Sequence, residues 1–352
     1  MNILVTSVPF APSVGGIETV TRLLAAEFDA LGHDVTVATL TPASGPEESP
    51  FRVLRRPAAG ALLRAMRRAD VVLQNNVSLR LGWPLALSPR RPCVIAHHVW
   101  TPRGGAAGRL KHLALRRARN VAVSAAVART LGVACARVPN PYDAACFRTL
   151  PEIARDRELV FLGRLVSDKG LAVLLDALSV LRGDALRPRL TVIGSGPEEE
   201  ACRELVRRLE LESQVTFAGT QRGDALVRCL NAHRVIVVPS TWEEPFGLVA
   251  LEGLACGLLP VVTDGGGLPE AIGECGAVVR RADPRALAAG IARALRDDTL
   301  RARVARLREP HLARHAPRQA ALAWLDELET ARIAGMDSRV RARRAAARRR
   351  SA

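Results

Sequence analysis

Short runs of aliphatic and β-branched residues alternate with longer segments of helical period along most of the chain. Apolar runs at 3–8, 34–40, 71–74, 93–96 and 120–124 lack a polar face, which predicts strands covered on both sides. Between them, 17–31 and 109–119 space their apolar residues as an amphipathic helix does. That βαβ rhythm implies a parallel sheet with helices on both faces. Residues 148–157 break it with a proline and a cluster of charges, the composition of a linker. It then resumes, with strands predicted at 159–163, 189–193, 215–218, 235–238, 260–263 and 277–280. Helices are predicted between them at 171–182, 197–211, 224–232, 246–256 and 284–296.

The pattern therefore predicts an α/β protein of two Rossmann-like, doubly wound domains, 1–150 and 151–310. A C-terminal helix over 311–335 could pack back toward the first domain, and a basic disordered tail follows over 336–352. Ligands of such sheets bind beyond the carboxyl ends of the strands. Two such domains facing each other would enclose a cleft, so residues that follow strands are the candidates for chemistry.

Composition narrows the classes. With 352 residues, 48% hydrophobic and 24% charged, the chain can build a large core, and wholesale disorder is excluded. Its net charge of +16 raises polyanion partners, but residues 337–352 alone hold seven arginines and one aspartate. Only two of the 51 basic residues are lysines, Lys111 and Lys169, so much of the excess reads as coding bias. An aromatic content of 3% argues against base stacking, and no helix-turn-helix or zinc signature stands in the chain, so no specific nucleic-acid partner is expected. Seven scattered cysteines without a C-x-x-C pair read as reduced thiols of a cytoplasmic protein. The apolar start reads as a strand and not a signal peptide, and the best membrane-span candidate, 246–262, is interrupted by Glu252.

Five segments after strands carry candidate chemistry. Gly15-Gly16-Ile17-Glu18 precedes a helix whose N-terminus suits an anion. It is not the G-x-G-x-x-G fingerprint, and Thr39-Leu40-Thr41 supplies no acid after the second strand, which disfavours a dinucleotide. His97-His98 ends a strand, where only one of two neighbours faces a given side. Arg164 and Lys169, in Gly163-Arg164-Leu165-Val166-Ser167-Asp168-Lys169-Gly170, set two cations around one phosphate-sized space. Gly194-Ser195-Gly196-Pro197 opens a helix. Glu244 and Glu252 flank a helix start at Phe246-Gly247-Leu248, so amides suited to phosphate lie beside carboxylates suited to hydroxyls. Each segment has a plain reading as well: a tight turn, a structural histidine or a solvated basic loop.

Together these motifs resemble the retaining GT-B glycosyltransferases of family GT4. The resemblance runs through G-G-x-E (Gly15, Gly16, Glu18), P-N-x-x-D (Pro139, Asn140, Asp143) and G-R-x-x-x-x-K-G (Gly163 to Gly170). It continues in G-x-G-P (Gly194 to Pro197), E-x7-E (Glu244, Glu252) and G-G-x-P-E (Gly266 to Glu270). It implies a retaining, metal-independent hexosyl transfer from a UDP- or GDP-sugar to a sugar, lipid-linked or small-molecule acceptor, in cell-envelope or related glycoconjugate synthesis. No cofactor is implied beyond the nucleotide-sugar donor.

By the same resemblance Arg164 and Lys169 meet the departing diphosphate, Glu244 the transferred sugar and Glu252 the ribose. The Gly16 amide meets the diphosphate, and the catalytic histidine maps to His98, with His97 second. Gly15, Gly194, Gly196, Phe246, Gly247 and Leu248 complete the donor-binding set. A basic segment at 103–119 resembles membrane-docking surfaces and implies a peripheral contact with anionic lipid. Gly253 and the pair Pro141-Tyr142 depart from the family pattern. The alternatives are a GT-B sugar-nucleotide epimerase or hydrolase, and a non-catalytic sugar-nucleotide or nucleic-acid binder.

Overall fold

A computed structural model describes residues 1–13, 15–45, 49–88, 91–102 and 104–350, with side chains as far as residue 337. The chain divides into two compact units, one of Met1–Pro141 with Pro317–Ala352 and one of Tyr142–Ala316. Each is built on one wholly parallel sheet.

In the N-terminal unit the strands are β1 Asn2–Ser7, β2 Asp34–Thr39, β3 Arg52–Arg55, β4 Val71–Asn75, β5 Cys93–His97, β6 Arg119–Ala122 and β7 Cys135–Arg137. Their order is β3-β2-β1-β4-β5-β6-β7, so the winding reverses between β1 and β4. The second unit carries β8 Arg157–Leu162, β9 Leu190–Ile193, β10 Val215–Gly219, β11 His233–Val238, β12 Leu259–Thr263 and β13 Ala277–Val279. These run in the order β10-β9-β8-β11-β12-β13, reversing between β8 and β11.

The continuous apolar runs have their expected cause: every residue of β4 and of β12 is buried, because helices cover both faces. Helix Gly16–Ala30 buries Val20, Leu23, Leu24 and Phe28 on one stripe, and Gly32 leaves it with φ +83. Asp283 caps helix Pro284–Arg296 through a 2.9 Å bond from Ala286 N, with Pro284 at its first position. All seven cysteines are free thiols. No helix among the described residues is long and apolar enough to cross a membrane.

Three features differ from the sequence expectation. Strands β3 and β7 lie at the two edges of the first sheet and carry little buried surface, so their apolar signal is weak. Residues 148–157 are not free linker: Asn231 accepts from Leu150 N at 2.7 Å and donates to the Arg148 carbonyl at 3.0 Å. Arg155 donates to the carbonyls of His233 and Cys256, so this segment closes the second unit. The C-terminal helix spans Pro317–Arg350 and extends beyond 335, into the stretch expected as a tail. It belongs to the first unit, where Trp324 and Leu328 are fully buried and Glu327 pairs with Arg119 of β6.

Candidate active site

The switch point of the second sheet lies between β8 and β11, where doubly wound folds bind ligands. The loops leaving those two strands hold Arg164, Lys169 and Glu244. They are joined backbone to backbone, with Thr241 N donating to Asp168 O and Thr241 Oγ to Ser167 O, both at 3.0 Å. Gly170 is required at this seam: its φ is +72, and a Cβ would overlap the Pro239 carbonyl oxygen. The neighbouring seam has the same construction. Leu165 N donates to Ser195 O at 3.0 Å, and Gly194, with φ +137, lies against the Gly163 carbonyl. Gly196 lies against the carbonyl of Leu165 in turn. Gly194 and Gly196 thus have a packing reason for lacking a side chain.

Across the first seam, Lys169 Nζ lies 2.5 Å from Glu244 Oε1, and Ser240 Oγ donates to the same oxygen at 2.7 Å. Both partners of the ion pair are largely shielded, with side-chain exposures of 23% and 13%. Arg164 is exposed and makes no ion pair among the described residues. The expectation of two cations around a phosphate therefore meets one free guanidinium and one ammonium already held by a carboxylate.

Glu244 leads directly into helix Leu248–Ala255. Gly247 turns the chain with φ +125, and its missing side chain makes room for Leu268. Leu248 and Val249 precede the first intrahelical bonds, which Ala250 and Leu251 donate to the Gly247 carbonyl. Phe246 is buried, its ring centroid 5.7 Å from that of His315. One turn into the helix, Glu252 keeps part of its surface open, yet its carboxyl group sits deep enough that burial pushes its pKa to about 7. The nearby charge of Asp143 adds to that rise. Gly253 departs from the family pattern for a visible reason, since a Cβ there would come within 2.7 Å of Ile236.

In the N-terminal unit, the loop after β1 leads through Gly15 to the helix that Gly16 begins. The Glu18 side chain folds back over Gly15, and a Cβ on Gly15 would lie 2.6 Å from its carboxylate. Both histidines after β5 are buried. His97 Nε2 meets Asn120 Oδ1 at 3.1 Å. His98 stacks on Trp324, with ring centroids 6.4 Å apart, and Asn76 Oδ1 accepts from its backbone amide at 2.8 Å. Burial lowers the His98 pKa to about 4, the neighbouring His97 adds to the fall, and the Asn140 side chain, as acceptor for the protonated ring, partly opposes it. The ring is neutral at pH 7. The two polar residues of P-N-x-x-D thus separate: Asn140 serves His98 in one unit, and Asp143 lies near Glu252 in the other.

Ser240, Asn76 and Trp324 were given no role by the sequence reading. Ser240 and Asn76 each follow a central strand, which is the positional signal that could have found them; Trp324 reaches His98 from a helix more than 200 residues away. Arg103 lies outside the described residues. The helix within its segment, Gly105–Leu115, leaves Leu110 and Leu113 about half exposed beside Arg109. Among the described residues no group of three or more His, Cys, Asp or Glu side chains could hold a metal ion.

Two family models match the chain, Glycosyltransferase Family 4 over residues 14–143 and Glycosyl transferases group 1 over residues 147–307. An uncharacterized glycosyltransferase of Methanocaldococcus jannaschii is 34% identical over 144 residues, 40% of this chain and 36% of that protein. A D-inositol 3-phosphate glycosyltransferase of Corynebacterium jeikeium is 34% identical over 169 residues, 46% of this chain and 40% of that protein. The matches thus span less than half the length of these relatives. The crystal structure of Anabaena HepE in complex with UDP and glucose shares the fold, with a TM-score of 0.77 over 93% of this chain and 99% of that one, at 21% identity. With two Rossmann-like units, both family models and the motifs in their order, the chain belongs to the group 1, family 4 glycosyltransferases and has the GT-B fold.

Proposed function

We propose that the chain transfers a sugar from a nucleoside-diphosphate sugar to an acceptor with retention at the anomeric carbon. The observation that carries this reading is the arrangement at the β8/β11 switch point: Lys169 and Glu244 in contact, Arg164 on the same loop as Lys169, and Glu252 one turn into the helix that Glu244 leads into. A cation, a carboxylate and an open helix start are the complements of a diphosphate, sugar hydroxyls and a ribose. That a solved protein of the same fold holds UDP and glucose supports the donor class.

The bond from the anomeric carbon to the diphosphate breaks as the bond to the acceptor oxygen forms on the same face. The acceptor's proton passes to the leaving phosphate. Arg164 and Lys169 stabilise the charge that develops there, which makes the reading metal-independent and free of any cofactor beyond the donor. The roles that the resemblance gives His98 and Gly16 remain part of this proposal. The acceptor class is a sugar, a lipid-linked sugar or a small molecule of glycoconjugate or cell-envelope synthesis. Exposed Leu110 and Leu113 beside Arg109 support a peripheral contact with anionic lipid at the inner face of the membrane.

Calorimetric titration with UDP, GDP and ADP and their sugars tests the reading. One nucleoside diphosphate and its sugar bind, and Lys169→Ala weakens both. Binding of none of them ends the proposal. Release of free or epimerised sugar from the donor, undiminished without any acceptor, would favour the epimerase or hydrolase alternative.

A further inference from the structure

Glu244 receives two hydrogen bonds on a single oxygen: Oε1 lies 2.5 Å from Lys169 Nζ and 2.7 Å from Ser240 Oγ. In the donor-site reading on which this inference rests, Lys169 has two duties that conflict. Its ammonium is to meet the departing diphosphate, yet here it neutralises Glu244. Once Lys169 turns to the phosphates, the partner left on Oε1 among the described residues is the Ser240 hydroxyl.

Ser240 is built to stay in place. It is fully buried just past the end of β11. Its carbonyl accepts from Thr263 Oγ, at the end of β12, at 2.9 Å. Its neighbour Thr241 is held to Ser167 and Asp168 by two bonds of 3.0 Å. The hydroxyl therefore stands on a segment anchored on both flanks, while the lysine that shares its acceptor sits on a long, flexible stem.

We propose that Ser240 is a positioning residue for the transferred sugar. It holds Oε1 of Glu244 while Lys169 exchanges the carboxylate for the diphosphate. Oε2 is left to accept from the sugar hydroxyls in a fixed direction. The sugar moiety, and not the nucleotide, is what Ser240 secures.

The test compares Ser240→Ala, Ser240→Cys and Glu244→Ala with the parent chain, titrating UDP and UDP-glucose, or whichever of the GDP/GDP-mannose and ADP/ADP-glucose pairs the parent binds. In Ser240→Ala the affinity for the nucleoside diphosphate stays unchanged, while that for the sugar nucleotide falls about tenfold, the effect of one lost charge-assisted hydrogen bond. Ser240→Cys, which keeps a weak donor, recovers part of the loss, and carries the test alone if the alanine variant does not fold. Equal weakening of both ligands would make Ser240 a merely structural residue and overturn the proposal. So would an unchanged ratio in Ser240→Ala beside a collapsed one in Glu244→Ala, which leaves the donor-site reading standing. An unchanged ratio in Glu244→Ala, or no binding of any pair, would remove the reading of Glu244 and this inference with it.

Discussion

Lys169 and Glu244 stand 75 residues apart in the sequence and meet at 2.5 Å, one from the loop after β8 and the other from the loop after β11. Each is the other's counter-charge at the switch point. Removing the lysine leaves the carboxylate with Ser240 and, in the proposed donor site, takes one fixed cation from the diphosphate.

Lys169→Ala is accordingly expected to lower turnover by about 100-fold or more, the usual effect of losing one preorganised donor to a developing anion. Stability should fall by about 1–3 kcal/mol, because the largely shielded Glu244 carboxylate loses its counter-charge and keeps the Ser240 hydrogen bond. Steady-state rates with the identified donor, beside a thermal melt, check both halves. Full activity with an intact melt would remove Lys169 from the chemistry.

Glu252 gives the fold an unusual dependence on pH. Its folded pKa, near 7, exceeds the ordinary value of 4.5, so between those values the folded state binds the proton more tightly than the unfolded chain. Its contribution is present below about 4.5 and is lost as pH rises through 7. The melting temperature of Glu252→Gln should therefore fall less than that of the parent chain between pH 5 and 8. Parallel melting curves for the two proteins across that range would count against the assignment.

Two glycines of similar φ sign separate packing from backbone freedom. Gly194 has φ +137 and lies against the Gly163 carbonyl, whereas Gly32 has φ +83 and open space around it. Gly32→Ala should cost about 1 kcal/mol, the penalty of the left-handed region alone. Gly194→Ala should cost about 3 kcal/mol or more, since the loops after β8 and β9 must also part. Denaturant unfolding of both variants measures the difference, and equal costs would deny the close approach.

The helix Gly105–Leu115 should carry any affinity for lipid. Leu110 is 53% exposed and Leu113 46%, beside the exposed guanidinium of Arg109. Sedimentation with vesicles rich in anionic lipid should show binding that falls as salt rises. Leu110→Ser with Leu113→Ser should weaken it about tenfold. Equal binding to neutral vesicles, or an unaffected double variant, would discard the surface.

Much of the architecture is legible in the chain because a sheet buried on both faces leaves an unbroken apolar run wherever a central strand lies. The edge strands Arg52–Arg55 and Cys135–Arg137 lack that signature, having one neighbour and exposed positions. Residues 148–157 mislead for a different reason: their polar groups cap and tether other elements, as Arg155 does at the Cys256 carbonyl, and a sequence does not show whether a charge faces water or a backbone oxygen. The motif residues of the candidate site are legible by their places after strands. Their partners are not. Nothing local announces that Trp324 stacks on His98, that Asn120 meets His97, or that Ser240 and Lys169 share one oxygen of Glu244. The glycine turns had two readings, and the close backbone seams supply a structural cause for Gly170 and Gly194 whatever ligand they also meet.

The first unit is assembled from two stretches that the whole second unit separates in sequence, and that imposes an order on its birth. Residues 1–141 leave the ribosome without helix Pro317–Arg350, and so without Trp324 and Leu328 of their own core. The second unit, Tyr142–Ala316, is continuous and is complete before that helix is made. Domains generally mature as they emerge, the leading one first. Here the leading sheet waits, with the face that Trp324 and Leu328 cover left open, until helix Pro317–Arg350 has been made. A chain cut short near residue 316 would therefore carry a complete second unit and a first unit that lacks Trp324 and Leu328.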